Sequence, residues 1–156
     1  MMPKISLHAL VGQVNPKALR ITGQYFEHKL QILIDGGSTH NFLQERVAFG
    51  LGLPVIPTKP FKVFVGNDPF FIFSKKCLNV PLNLQSHHFE IEFYVLPIEG
   101  ADMVLGIQWL ETLGPILTDY KLLTMNSTYK DQMVCLKSEP QLHLQPIKAT
   151  QEVSIL

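Results

Sequence analysis

The sequence predicts an all-β protein with one domain. Short runs rich in β-branched and aromatic side chains recur along the chain, and turn residues separate them: residues 5–11, 19–26, 29–34, 61–65, 70–74, 78–84, 89–96 and 122–126. Only residues 41–51 have apolar side chains at helical spacing, and Gly52 and Pro54 end that stretch. A chain of 156 residues has the size of one domain and can bury a core.

The order of these runs suggests how the chain folds locally. Residues 19–26 and 29–34 are expected to form a hairpin with Glu27 and His28 at its tip. Residues 85–87 are a turn, and proline and glycine interrupt the strands later in the chain. The polar, proline-containing end of the chain is typical of a linker or a poorly ordered tail.

Charge and hydropathy exclude several classes of partner. The formal net charge is zero and acidic and basic residues are interspersed along the chain, so the sequence has no basic stripe for nucleic acid and no polybasic surface for a membrane. No run approaches the roughly twenty apolar residues of a membrane span, and the start of the chain has no secretory apolar region. We therefore expect an intracellular, cytoplasmic chain without nucleic-acid or membrane partners.

The sequence predicts neither a metal site nor a cofactor. Cys77 and Cys135 are too few and too far apart for a disulfide framework or a zinc site. His40, His87 and His88 have no second cluster of potential ligands at a suitable spacing, so turn positions are favoured over metal binding.

The stretch most suggestive of chemistry is an apolar strand that ends in a carboxylate. Residues 32–34 are aliphatic, and Asp35, Gly36 and Gly37 follow directly. Glycines beside a carboxylate let the backbone turn sharply and hold the acid where a substrate can reach it. The same residues also form ordinary surface turns, so this stretch alone does not decide between the two interpretations.

A second segment, residues 102–110, favours the catalytic interpretation over the ordinary turn. Together the two segments resemble the active-site motifs of the retropepsin family, in the form carried by plant Ty3/gypsy-type retrotransposon polyproteins. Residues 32–42 are similar to its hydrophobic-hydrophobic-Asp-Ser/Thr-Gly loop, and residues 103–110 to its apolar-apolar-Gly motif before a short helix with a Trp-Leu pair. Residues 62–68 lie where that family has its flap hairpin, and residues 113–120 where its closing strand begins.

The resemblance implies a fold and a set of site residues. The fold is an all-β, retropepsin-like (acid protease) half-barrel with one or two short helices, whose active site forms by homodimerisation. The protease domain would span residues 5–130, and residues 131–156 would be a C-terminal linker or tail. The implied site comprises catalytic Asp35, an active-site loop of Gly36, Gly37 and Ser38, a flap of Val65, Gly66, Asn67 and Asp68, and a second loop of Val104, Leu105 and Gly106.

The implied chemistry is peptide hydrolysis by two carboxylates that share one proton. Only Asp35 has the required setting, so the second carboxylate is expected from Asp35 of a second copy, with an extended peptide or polyprotein as substrate. Asp102 is the obvious rival within one chain. The family position that it occupies is not catalytic, and a turn or cap carboxylate is the favoured interpretation.

Two departures from the family pattern leave a second function open. Gly36 stands where the family has Ser or Thr, so the hydroxyl that braces the paired loops across the dimer axis is missing. At the flap tip, Asp68 stands where glycine is usual, and Pro69 removes a backbone donor. The chain is therefore expected to be either an aspartic endopeptidase of retrotransposon polyprotein processing, or a weak or inactive relic that folds, with or without dimerising, and does not cleave.

Overall fold

The computed structural model describes residues 2–13, 17–65 and 70–139, and its elements are mainly strands. None of the helices in these ranges is long and apolar enough to cross a membrane. The elements in chain order are β1 Lys4–Ile5, α1 Leu7–Val11, β2 Leu19–Tyr25, β3 His28–Ile34, β4 Phe42–Gln44, α2 Glu45–Gly50, β5 Ile56–Val65, β6 Phe70–Leu84, β7 His87–Leu96, β8 Met103–Leu105, α3 Ile107–Leu110 followed by a 3-10 turn at Glu111–Leu113, β9 Leu117–Asp119, β10 Thr124–Tyr129 and β11 Gln132–Lys137.

Six strands close into a barrel, in the order β6-β2-β3-β8-β4-β7, because β7 pairs back onto β6. Beyond the barrel the sheet continues from β6 to β5 and then to β1, while β9, β10 and β11 form a separate three-stranded sheet. The predicted all-β class is confirmed. The described residues contain three short α-helices, slightly more than the one or two expected.

The strands β2 and β3 form the predicted hairpin. They pair from Leu19 opposite Ile34 to Tyr25 opposite His28, so the turn falls at residues 26–27, one position before the expected tip. Phe26 adopts a positive φ of 52° to close it.

The strand β6 replaces the two separate strands that were predicted at residues 70–74 and 78–84. It runs continuously from Phe70 to Leu84, but its pairing with β7 shifts register between Cys77 and Val80. Asn79 has a φ of 49° in this interval, so a bulge lies where the sequence suggested a break.

The prediction of a strand over residues 5–11 was wrong. The strand here is limited to Lys4–Ile5, and α1 begins at Leu7. The Ser6 side chain accepts a bond from the Ala9 N–H at 3.1 Å as N-cap, and Gly12 ends the helix with a φ of 76°. These two caps define one helical turn within an apolar run that otherwise favours a strand.

The prediction of a helix over residues 41–51 was half right. The helix α2 covers only Glu45–Gly50, whereas Phe42–Gln44 form β4 between β7 and β8. Phe42 and Leu43 are fully buried there. Pairing on both sides therefore overrides the helical spacing of the apolar residues.

A C-terminal linker or tail was expected from residue 131, but regular structure continues beyond that position. The strand β11 pairs with β10 along its whole length, and residues 138–139 bond to the hairpin strand β2: the Arg20 N–H donates to Ser138 Oγ at 2.8 Å, and the Glu139 N–H to the Arg20 carbonyl at 2.7 Å. Burial lowers the pKa of the Arg20 guanidinium, while Glu139 and Asp102 oppose that shift. Ordered structure thus continues to residue 139, and residues 140–156 lie outside the described ranges.

Two apolar clusters fill the interior. The larger cluster joins the barrel strands to the three-stranded sheet and includes Ile32, Phe93 and Met103 of the barrel. In this cluster Trp109 packs edge-on against Phe89 at 5.4 Å between ring centroids. The smaller cluster joins the β5–β6 hairpin to the N-terminal residues and the adjoining barrel strands; it includes Ile5, Leu33, Phe42, Val63, Val65 and Leu96.

The barrel core supplies a direct test of the fold. Phe93 is fully buried, so Phe93→Ala should lower the free energy of unfolding by about 3–5 kcal/mol through lost burial and a residual cavity. Phe26→Ala, at a side chain that is 71% exposed, is the matched control and should stay within about 0.5 kcal/mol. Urea unfolding followed by circular dichroism measures both, and equal losses would contradict this core.

Candidate active site

The two candidate loops lie side by side because the strands that lead into them are parallel neighbours. In the pairing of β3 with β8, Ile34 lies opposite Leu105. The next residue, Asp35, donates its N–H to the Leu105 carbonyl at 2.9 Å. Asp35 and Gly106 are thus brought to the same end of the barrel, although they are far apart in sequence.

The Asp35 carboxylate is buried, with 3% of the residue exposed, and it accepts three hydrogen bonds. The Gly37 N–H donates to Oδ1 at 2.9 Å. The hydroxyls of Ser38 and Ser6 donate to Oδ2 at 3.0 and 2.5 Å. These donors fix the orientation of the carboxylate, as a general base or acid requires.

Gly106 permits the second loop to touch the first. A Cβ at this position would lie 2.4 Å from the His40 carbonyl oxygen and 2.5 Å from that of Ser38, closer than any side chain allows. The following residue, Ile107, donates its N–H to the same Ser38 carbonyl at 2.8 Å. Val104 and Leu105 are buried in β8 and place this glycine.

Asn41 is a site residue that the sequence interpretation missed. It is 2% exposed, its Oδ1 accepts from the Gly106 N–H at 3.0 Å, and its Nδ2 donates to the Glu92 carbonyl at 3.1 Å. It therefore links both loops to β7. The sequence did contain a signal for this role: Asn41 is a polar residue placed directly between the Asp35 loop and the apolar pair Phe42 and Leu43.

Ser6 is the second missed residue. The sequence interpretation placed residues 5–11 in a strand, so no contact with Asp35 was expected. The signal that could have found Ser6 is its position as a serine N-cap with Gly12 as the C-terminal stop.

Gly36 does not require glycine for its backbone. Its φ lies outside the left-handed region, it is exposed, and a Cβ there would meet nothing within 4 Å. At Gly37 a Cβ would lie 3.2 Å from Asp35 Oδ1, so that position is tighter. A serine at position 36 fits this loop without displacing a neighbour in the same chain.

The flap prediction lies only partly within the described ranges. Val65, the last residue of β5, is buried and pairs with Ile5. Gly66, Asn67 and Asp68 lie outside the described residues. On the far side of them, Phe70 pairs with Phe64, so β5 and β6 form the hairpin that the resemblance implied.

The other polar candidates have structural partners. Asp102 Oδ2 accepts from the Gln31 N–H at 2.7 Å, which agrees with the favoured interpretation as a turn or cap carboxylate. His40 Nδ1 lies 2.7 Å from Thr39 Oγ1, and burial lowers the pKa of its imidazole. Within the described ranges, no three His, Cys, Asp or Glu side chains form a group that could hold a metal ion.

Comparisons with known proteins agree with this geometry. The retroviral protease-like domain of Ddi1 from Leishmania major superposes with a TM-score of 0.57 at 17% sequence identity, covering 85% of this chain and 100% of that one. At this identity the likeness establishes the fold alone, which is the retroviral protease-like fold. Residues 31–135 match the PEG10/RTL1 protease domain, and since they are more than half of the sequence, the chain belongs to that family.

The contact at Gly106 predicts a large effect of a single methyl group. Gly106→Ala should destabilise the protein by about 1–3 kcal/mol or more, because the backbone of residues 38–40 must move. Gly36→Ala adds the same methyl group in open space and should change stability by at most about 0.5 kcal/mol. Thermal unfolding of the two variants measures the difference, and a harmless Gly106→Ala would mean that the loops are farther apart.

Proposed function

We propose that this chain is an aspartic endopeptidase that acts as a homodimer, with Asp35 of each copy as the catalytic residue. The observation that carries this proposal is the Asp35 carboxylate, oriented by the Gly37 N–H and the Ser38 hydroxyl at the junction of the two loops. The retropepsin-like fold and the protease-domain family support the same reaction class.

A second copy is needed because, among the residues that the structure describes, Asp35 is the one carboxylate in that setting. Asp102 is not at the loops: it comes just before β8, its Oδ2 accepts from the Gln31 N–H, and Gln31 precedes Asp35 by four residues along the extended chain of β3. Retropepsin-like domains work as dimers on polypeptide substrates. A two-fold axis beside Asp35 would bring in its symmetry mate and complete the site.

The proposed reaction follows from the two carboxylates sharing one proton. The ionised Asp35 takes a proton from a water molecule, and the oxygen of that water attacks the scissile carbonyl carbon. The protonated Asp35 meanwhile donates its proton to the carbonyl oxygen. When the tetrahedral gem-diol intermediate collapses, the C–N bond breaks and the nitrogen receives a proton from the carboxyl that took one from the water. A hydroxyl of the gem-diol returns its proton to the other carboxylate as the new C=O forms, so the pair again shares one proton.

The proposed substrate is an extended peptide under the β5–β6 hairpin, held by main-chain bonds and apolar pockets. The resemblance of residues 32–42 to Ty3/gypsy-type sequences supports an origin in a retrotransposon polyprotein, with processing of that polyprotein as the original task.

A weak or inactive relic is the second candidate, and Gly36 is the observation that favours it. The family hydroxyl at this position is absent, so the two loops of a dimer would lack one pair of buried hydrogen bonds. Such bonds contribute about 0.5–1.5 kcal/mol each to association.

A mixing experiment tests the shared site. Peptide hydrolysis at mildly acid pH is measured for the native chain after equilibration with a ninefold excess of Asp35→Asn chain. Most native chains then pair with a partner that lacks a carboxylate, and hydrolysis per native chain should fall about tenfold.

The control for this experiment is an equal excess of Asp131→Asn, at an exposed turn residue with a φ of 62°, where asparagine is well tolerated. Its mixed dimers keep both Asp35 carboxylates and should raise total hydrolysis. Unchanged hydrolysis with excess Asp35→Asn would reject the shared site, and activity of Asp35→Asn alone would reject Asp35 as the catalytic residue.

The Gly36→Ser variant separates the enzyme from the relic. The open space at this position accepts the side chain, so a restored pair of bonds across the axis should strengthen dimerisation about ten- to a hundredfold and raise turnover with it. Sedimentation equilibrium and peptide hydrolysis measure the two effects. Equal turnover of both chains would contradict the relic, and dimers of both chains without any hydrolysis would favour it.

A further inference from the structure

The N-terminal segment, defined here as residues 3–6, covers the candidate catalytic carboxylate. Ser6 donates its hydroxyl proton to Asp35 Oδ2 at 2.5 Å, and its N–H donates to Ser38 Oγ at 3.1 Å. Asp35 is only 3% exposed in this arrangement, so its carboxylate has little contact with solvent while Ser6 is bonded to Oδ2. The segment therefore lies where a substrate would have to lie.

The main chain of the N-terminal segment is bound on two sides. On one side, the Lys4 N–H donates to Thr39 Oγ1 at 2.7 Å and the Thr39 N–H donates to the Lys4 carbonyl at 2.8 Å. On the other side, the Phe64 N–H donates to the Pro3 carbonyl at 3.1 Å, and β1 pairs in parallel with the end of β5. We call the space between the end of β5 and residues 35–39 the peptide channel.

Main-chain bonds of this kind do not depend on the side chains of the occupant. Any extended peptide presents the same N–H and C=O groups, and addition of a strand to an open sheet edge is a common mode of peptide recognition. Without the N-terminal segment, β5 has an open edge facing the channel.

The side chains indicate what kind of peptide fits. Ile5 is fully buried in the cluster that contains Val63 and Val65 of the hairpin. A cavity of about 270 Å³ adjoins it, and Leu10 and Phe71 contribute to its apolar lining. An aliphatic side chain at the position of Ile5 is therefore the main specificity contact.

The N-terminal segment is peripheral to the barrel. The six-stranded barrel closes without β1, which pairs only with β5 at the outer end of the sheet. The segment pairs through two residues, whereas β2 and β3 pair through seven.

We propose that residues 3–6 are an intramolecular ligand of the peptide channel, and that they leave it before an extended peptide with an aliphatic side chain binds over Asp35. This inference rests on the proposed function, since the channel is taken to be the substrate site. Because the segment is tethered to the channel, it competes with free peptides at a high effective concentration. The apparent Kd for any free peptide equals the Kd of the open channel divided by the fraction of chains in which the channel is open.

Peptide binding tests this proposal without requiring catalysis. The probe is a fluorescent synthetic peptide with the sequence of residues 2–8, and the measurement is fluorescence anisotropy. Ile5→Lys should expel the segment, because a buried ammonium group is unfavourable in an apolar cluster. This variant should bind the probe at least about tenfold more tightly than the native chain does.

Two matched controls accompany the measurement. Leu7→Lys places the same charge on a side chain that is 45% exposed and should bind the probe as weakly as the native chain. A probe carrying lysine at the position of Ile5 should bind none of the three chains. A chain without residues 1–6 lacks the whole segment, including the Ser6 hydroxyl that bonds to Asp35, and serves as a second released variant.

The outcomes separate this inference from the proposed function. Equal probe affinity of native and released chains, or no binding by either released variant, overturns the inference. Failure of both released variants to fold also overturns it, because the segment would then be an obligatory part of the core. Tighter probe binding by the released chains without hydrolysis of any peptide supports the inference and rejects the endopeptidase.

Discussion

The close backbone approach between the two loops is the constraint on which the rest of the site depends. It exists because Gly106 has no side chain, so that the carbonyl groups of Ser38 and His40 can lie against its Cα. The parallel pairing of β3 with β8 brings both loops to this point, and the buried Asn41 side chain accepts a bond from the Gly106 N–H. A rigid floor follows from backbone contacts rather than from side-chain packing, which is why a carboxylate can be buried there with its donors in fixed positions.

The hydrogen-bond donors to the Asp35 carboxylate come from two separate parts of the chain. Gly37 and Ser38 belong to the same loop and accompany the carboxylate in any state of the protein. Ser6 comes from the N-terminal segment, and the rest of that segment bonds to Thr39 and to β5. The two loop donors can therefore orient Asp35 permanently, whereas the hydroxyl of Ser6 is present only while the segment remains in place.

The sequence was sufficient for the fold class, the hairpin of β2 and β3, and the neighbourhood of Asp35 and Gly106, because local alternation and two ordered motifs specify them. It was insufficient for β4, where burial of Phe42 and Leu43 between two strands overrides helical spacing. It also missed α1, since the caps Ser6 and Gly12 define a helix too short for periodicity to reveal. The contacts of Ser6 and Asn41 with the loops join residues 29 and 65 positions apart, and no local pattern encodes such distances.

Occupation of the peptide channel also bears on how two copies would meet. Two Asp35 carboxylates that share a proton must come within about 3 Å of each other, and each must expose an oxygen toward the axis. In the described conformation Oδ2 is directed at Ser6, and Oδ1 is bonded to the Gly37 N–H. Displacement of the N-terminal segment is thus a common requirement for substrate binding and for pairing of the carboxylates. If both steps need the same displacement, a peptide that opens one channel also favours the paired arrangement, and substrate binding and completion of the site become thermodynamically coupled.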